Sequence, residues 1–435
     1  MNKEIVIIGA GITGLAAAME LQDKAVVLEK GKKVGGTVKS FCFDGYWFDN
    51  VVHLLHFRNK NAENRIKTLM GDLFKPCPPV GWVETKEGTV RYPFQLNIGG
   101  LNIDAIKRCR EDFYDSYHNT ESNNSFTSYK DFLLRTFGKA MCELFFFPYN
   151  EKLWKYPLDK MTSSAQTWNI NRPSIDEFDD GIENPDFTKE SYNINAYYPQ
   201  PPRDSMIRGM EILPQMMAGE VKDLILNCEV NSIIAKDHKL FTCDDSVNYE
   251  RCLSTIPLPE LMRLCNVSGT LLRDFNKLKW IKVISVGLMI KRERPKDTGH
   301  WHYYADPKIP FTKLIYMTEF DKYNAPENGF CILLEVPVLN ITPMFANNIN
   351  YTIMQALRDL KILKAKDQIL GMYFWEVNPA YVIFTKETQK IIKHCKEYLE
   401  KFNITTLGRY GNWEYSSISE NIEDGFNYAR KIMQK

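Results

Sequence analysis

Residues 4–29 read EIVIIGAGITGLAAAMELQDKAVVLE, and this stretch decides the fold. An apolar run rich in β-branched residues, Glu4 to Ile8, breaks at Gly9, Gly11 and Gly14 in the spacing G-x-G-x-x-G. A helical stretch from Leu15 to Leu21 leads to a second apolar run, Ala25 to Leu28, closed by Glu29. Strand, glycine turn, helix, strand, acid is the order a dinucleotide requires. Gly9 permits the tight turn, Gly11 lets the backbone approach a pyrophosphate, and Gly14 lets helix and strand pack closely. The helix N-terminus offers free N–H groups and a partial positive charge to the phosphates. Glu29 can accept from both hydroxyls of an adenosine ribose, which argues against a 2′-phosphate.

The next stretch chooses between cofactors. Lys30 to Val34 leads to Gly35 and Gly36, a second close backbone approach that a simple nicotinamide dehydrogenase does not require. FAD, longer and bound extended, does need more of the chain near it. No second G-x-G-x-x-G follows, so a dedicated NAD(P)H domain is not expected, and any reductant binds transiently.

The 435 residues exceed one ordinary core and suit interleaved units. Apolar content of 44% and charged content of 25% are those of a soluble globular protein. A net charge of +1, with no strongly basic run, gives no reason to expect a nucleic-acid partner. The chain starts directly with the strand, leaving no room for a signal peptide, and no apolar run reaches membrane-spanning length. Ten cysteines without C-x-x-C or zinc spacing read as reduced, mostly buried thiols of a cytoplasmic protein.

Along the chain, Ser40 to Phe48 reads as a hairpin turning at Asp44 and Gly45, and Trp82 to Tyr92 as another turning at Glu87 and Gly88. His53 sits in an apolar setting, where a satisfied core histidine is the commoner case. Leu101 to Tyr114 and Ser128 to Phe145 carry helical periodicity and are assigned to an inserted helical domain. Beyond it, Phe147-Pro-Tyr-Asn150, Lys152, Trp154, Trp168 and Arg172 place rings, amides and a cation together. Such a set suits a flat, polar, anionic ligand or, equally, a tryptophan-rich packing surface. Leu224 to Ile234 reads as a strand. Val283 to Ile290, His302 to Tyr304, Thr312 to Thr318 and Phe330 to Val336 read as antiparallel strands, and Thr352 to Leu363, Glu387 to Phe402 and Ile422 to Met433 as helices.

The run P-Y-N-x-K-x-W, the earlier Y-P-F-Q, the W-x-x-x-R from Trp168 to Arg172, and Gly408-Arg-Tyr-Gly-Asn-Trp-Glu-Tyr415 together resemble the UDP-galactopyranose mutases. More broadly they are similar to the protoporphyrinogen oxidase and flavin amine oxidase superfamily. The resemblance implies an α/β fold: an FAD-binding Rossmann-type (GR2-like) domain with an inserted helical domain and an antiparallel β-sheet substrate domain. The expected division is FAD-binding segments at 1–80, 201–275 and 386–435, a sheet segment and helical insertion at 81–200, and the substrate sheet at 276–385. By resemblance, Tyr92, Gln95, Asn150 and Trp154 fall in a uridine site, and Arg172 reaches the pocket from the insertion. Arg409, Tyr381 and Tyr415 match diphosphate-binding groups, with Lys313 where the mutases carry an arginine, and His53 matches a loop histidine beside the flavin. Val230 is placed by the adenine, and Gly408 in the cofactor-binding set. The reaction implied has no net redox change: reduced-flavin N5 attacks the anomeric carbon of a nucleotide sugar, in surface-polysaccharide synthesis.

Three departures stand beside the matches: Val51 and Val52 replace two glycines, Pro201 to Ser205 replaces a glycine-rich stretch, and Lys313 cannot make an arginine's bidentate contact. FAD binding tolerates these more readily than mutase chemistry does. Three classes therefore stay open: a flavin-dependent nucleotide-sugar mutase, an FAD-dependent oxidoreductase, and a flavin-binding relative without catalysis; a homo-oligomer is left open as well. Gly11→Val is expected to abolish flavin retention, read from the visible spectrum of the purified protein; unchanged occupancy would refute the reading of the glycine turn.

Overall fold

The computed structural model describes residues 2–119, 125–163, 170–185 and 195–434. The strand Asn2–Ile8 lies parallel to Ala25–Leu28 on one side and to Ser246–Ser254 on the other. Ile5 to Ile8 are buried on both faces, which is why the run is continuously apolar rather than alternating. The helix Ile12–Leu21 is almost wholly buried, because it is enclosed between this sheet and the C-terminal helix Ile418–Met433. Small residues make that possible. A Cβ on Gly14 would lie 2.1 Å from the Gly9 carbonyl oxygen, and one on Gly425 would lie 2.5 Å from the Thr13 carbonyl oxygen. The expected start of the last helix at Ile422 moves to Ile418, where Ser417 and Glu420 form a reciprocal capping box.

Seven strands complete this sheet, with Ile404–Thr406 parallel to Ser246–Ser254. The reading of Leu224 to Ile234 as one strand is corrected. Leu224–Ile225 pairs with Ala25–Leu28 at one edge, whereas Val230–Ile234 stands at the other end of the strand order. Asn227, at φ +53°, turns the chain between them.

A second seven-stranded sheet runs in the order Gln368–Ile383, Lys279–Lys291, Phe330–Val338, Lys313–Tyr316, Trp301–Tyr304, Gly81–Thr85, Gly88–Arg91. All its pairings are antiparallel except Trp301–Tyr304 with Gly81–Thr85. The helix Pro343–Asp359 covers one face through Ile349, Ile353 and Leu357; it begins nine residues before the expected Thr352 because Thr342 caps it and Pro343 opens its first turn. The other face looks toward the first sheet.

The helices Ile103–Asn119, Tyr129–Phe137, Phe147–Trp154 and Ile175–Glu183 share an aromatic core, with Phe113 on Phe178 at 4.2 Å and Phe137 on Phe146 at 4.4 Å between ring centroids. Gly138, at φ +79°, splits what reads as one helix from Ser128 to Phe145. Lys152 ties this layer to the second sheet by donating to the carbonyls of Tyr304 at 2.9 Å and Asp306 at 3.0 Å.

The hairpin Ser40–Phe43 and Tyr46–Asp49 turns at Asp44 and Gly45, both at positive φ, as the sequence predicts. Its last residue, Asp49, is buried and accepts from Ser40 Oγ at 2.7 Å, Tyr198 OH at 2.8 Å and the Met210 N–H at 3.0 Å. Nearby, buried Arg208 pairs with Asp321 of the second sheet's connections. The stretch from Pro201 to Ser205, which replaces the glycine-rich stretch the resemblance implies, is thus followed by residues held in a buried polar network.

Burial pushes the Asp49 carboxyl up to about 6, against hydrogen bonds that favour its ionised form. A raised folded-state pKa means stability is greatest below the unfolded value and falls as pH rises through about 6. Urea denaturation at pH 4.5 and 7.5 should show a loss of at most about 3 kcal/mol assigned to this group, and Asp49→Asn should flatten that slope.

Candidate functional site

Two cavities, of about 600 and about 320 Å³, share a wall that includes His53, Tyr92, Tyr303, Lys313, Arg409 and Tyr415. The larger runs along the glycine turn. Gly9, Gly11, Glu29, Gly35, Gly36, Val230 and Gly408 all line it, while Gly14 lies beneath as a packing residue. The smaller enters the helical layer and is lined by Gln95, Asn150, Trp154 and Tyr381.

The local geometry of the larger cavity suits a dinucleotide. The Gly35 N–H donates to the Ala10 carbonyl at 2.8 Å, and Gly35 and Gly36 take φ of +110° and +61°, bringing the second glycine pair against the first. A Cβ on Gly11 would point into space whose nearest protein atom is Gly36 Cα at 4.0 Å, a cradle open for a ligand. No side chain caps the helix beginning at Ile12, and no acid stands in its first turn. Its N-terminus is therefore available to phosphate oxygens. Glu29 also braces the turn, accepting from the Ala10 N–H at 2.9 Å and the Gly31 N–H at 2.7 Å.

Arg409 is half-buried where the two cavities join. It donates to the carbonyls of Ser416 at 2.9 Å and Ala380 at 3.2 Å, and its guanidinium lies 4.2 Å from the Tyr415 ring centroid. Its own N–H donates to Asn421 Oδ1 at 2.7 Å, and Asn421 Oδ1 also accepts from Thr13 Oγ1 at 3.1 Å, which links the arginine to the first helix. Lys313 Nζ sits 4.9 Å from the Trp301 ring and 5.6 Å from the Tyr303 ring. Burial holds the Lys313 amine below its usual value, with Glu335 acting the other way. Among the described residues, neither cation makes an ion pair with a carboxylate. His53 lines both cavities; burial, then Arg409 and Lys313, depress it to about 4, so its ring is neutral at physiological pH.

The remaining expected residues divide. Tyr381 and Tyr415 stack with centroids 6.1 Å apart beside Arg409. Asn150 lines the smaller cavity, but its amide is engaged internally: Oδ1 accepts from Tyr129 OH and from Trp154 Nε1, each at 3.1 Å, and Nδ2 donates to the Phe146 carbonyl at 2.8 Å. It thereby orients Trp154. Gln95 donates to the Asn171 carbonyl at 3.1 Å. Arg172 is a correction: it lines neither cavity, because its guanidinium lies 4.2 Å from the Tyr117 ring and donates to the Ser116 carbonyl at 3.1 Å. Trp168 lies outside the described residues.

Sequence reasoning missed a row across the second sheet. Tyr303, Lys313, Glu335, Ser285 and Trp375 are successive cross-strand partners, so they share one face. Glu335 lines the smaller cavity, and Tyr381 OH lies 3.5 Å from its carboxylate. Ser285 Oγ and Trp375 Nε1 both donate to the Asn50 carbonyl at 2.8 Å, holding the loop that delivers Val52 and His53 to both cavities. One signal was readable: Glu335 is the only charged residue in a wholly buried nine-residue strand.

A family model described as an NAD(P)-binding Rossmann-like domain matches residues 7–73. A reduced UDP-galactopyranose mutase superposes with a TM-score of 0.91 at 21% identity, covering 99% of this chain and 96% of that one. The chain has the UDP-galactopyranose mutase fold. A protein from an Exiguobacterium species, described as a protoporphyrinogen oxidase, gives 0.74 at 16% identity over 100% of this chain and 99% of that one. A putrescine oxidase bound to putrescine gives 0.66 at 15% identity over the whole of both chains. The same fold is thus shared with these two oxidases. No described helix is long and apolar enough to cross a membrane.

Ser285→Ala combined with Trp375→Phe leaves the Asn50 carbonyl without its two donors and should lower stability by about 1–3 kcal/mol in urea denaturation. Each single variant should cost less than half of that, since the other donor remains.

Proposed function

We propose that this chain is an FAD-dependent enzyme acting on a nucleotide sugar, with UDP-galactopyranose mutase-like isomerisation in surface-polysaccharide synthesis as its reaction. One observation carries the reading: Arg409 and Lys313 stand half-buried on the wall shared by both cavities, without a carboxylate ion-pair partner among the described residues. Two cations drawn out of water on one cavity wall, with a single carboxylate on that wall, leave excess positive charge, and a diphosphate is the ligand that would balance it.

Gly11, Gly35, Gly36, Glu29 and the uncapped N-terminus of the helix Ile12–Leu21 would hold the dinucleotide. A bound flavin supplies, when reduced, a nucleophilic nitrogen for an anomeric carbon. Arg409 and Lys313 would grip the diphosphate, and the phenols of Tyr381 and Tyr415 would donate to its oxygens while it is detached from the sugar. Tyr92 and Trp154 offer ring faces to the base, and Gln95 borders the same space. A reductant that meets the protein transiently completes the set of partners.

A second reading, oxidation of an amine, is favoured by Glu335 among tyrosine rings in the smaller cavity, a setting that suits a cation. The two half-buried cations oppose it.

The two readings separate in one titration. After dithionite reduction, UDP or UDP-galactose should perturb the flavin spectrum and the sugar should interconvert between ring forms. Arg409→Ala should lose roughly a hundredfold or more in turnover while retaining flavin; full activity in that variant would remove the diphosphate assignment. Flavin that ignores UDP but is reduced by an amine would establish the oxidase instead.

A further inference from the structure

Lys313 and Glu335 are directly opposed on neighbouring antiparallel strands, and both line the smaller cavity. The Thr312 N–H donates to the Glu335 carbonyl at 2.9 Å, which fixes that register beside the pair. Lys313 has aromatic faces around it, Trp301 and Tyr303 on the adjoining strand, but rings alone do not neutralise a half-buried ammonium. We propose that Glu335 is a positioning residue acting through Lys313: its carboxylate is the counter-charge that keeps this half-buried amine an ammonium until an anionic ligand arrives. This rests on the anion site described above and deepens it.

The charged and titratable groups around the pair are few. From the loop after Asn50 comes His53, depressed to about 4 and so neutral near pH 7, and from the C-terminal segment comes the Arg409 guanidinium. Tyr149 from the helical layer, Tyr303 from the adjoining strand and Tyr381 from the sheet edge are all pushed up by burial and stay neutral. Tyr92, Tyr129, Tyr410 and Tyr415 also line this cavity. Glu335 is the one carboxylate among these groups, and its effect on Lys313 runs opposite to that of burial. An arriving diphosphate would take over as the partner of Lys313, leaving Glu335 free to accept a hydrogen bond from a ligand hydroxyl.

The test is calorimetric titration of UDP-galactose into the flavin-loaded full chain from roughly pH 7 to 9, where the diphosphate charge is constant, with sulfate as a second probe of fixed charge. Wild-type affinity should change by less than about twofold across this range, whereas E335Q should lose roughly tenfold or more as its amine deprotonates. E335D, with a shorter reach, should fall between them. In E335Q/K313R the guanidinium remains charged, so the pH dependence should vanish. An E335Q profile parallel to wild type, or a double variant that keeps the E335Q slope, would overturn the inference, and so would a wild-type protein that binds neither probe. Sulfate binding with the expected slopes but no response to UDP-galactose would uphold the role of Glu335 while sinking the nucleotide-sugar reading. Flavin retention and melting temperature of each variant separate these effects from loss of the fold.

Discussion

Gly14 has no side chain, and the carbonyl oxygen of Gly9 occupies the space one would need. That close approach seats the first helix directly on the first strand and aims its uncapped N-terminus at the larger cavity. Gly425 repeats the device on the opposite side of the same helix, so the last helix packs at backbone distance against the first. Asn421, one turn before Gly425, then joins Thr13 to the Arg409 backbone. A residue near the end of the chain is thereby placed at a cavity whose floor is built from the beginning.

The second sheet contributes by a different rule. Its cross-strand register puts five side chains in one row, and each has a separate task. Tyr303 gives a ring, Lys313 a cation and Glu335 a carboxylate, while Ser285 and Trp375 hold the loop of His53. Because the row is half to fully buried, charges on it are screened less by water than at the surface, and each depends on its neighbours. The depressed His53 and Lys313 and the raised Tyr381 share one first cause, desolvation by burial, to which Arg409 and Lys313 add at His53.

The helical layer is attached to this row through Lys152, whose buried amine is held by two carbonyls of the second sheet's connections. Its aromatic core orders Trp154 by way of Asn150. The motif P-Y-N-x-K-x-W therefore combines two functions in about two turns of helix: the lysine fastens the layer, and the asparagine sets the ring that borders the cavity.

The sequence by itself determined the glycine turn, both hairpins, the strands of the second sheet other than Gln368–Ile383, and the helix at the C-terminus, because each is written in local spacing or alternation. Gly9, Gly11, Gly35, Gly36 and Glu29 were legible for the same reason: backbone conformation and close approach are properties of a few adjacent residues. Only the tertiary structure decided the split of Leu224 to Ile234, the engagement of Arg172 by Tyr117, and the alignment of Lys313, Glu335, Ser285 and Trp375. Those depend on which strands become neighbours and in what register. Contacts between residues 50 and 375, or 13 and 421, join segments with no local pattern in common, so no spacing along the chain records them.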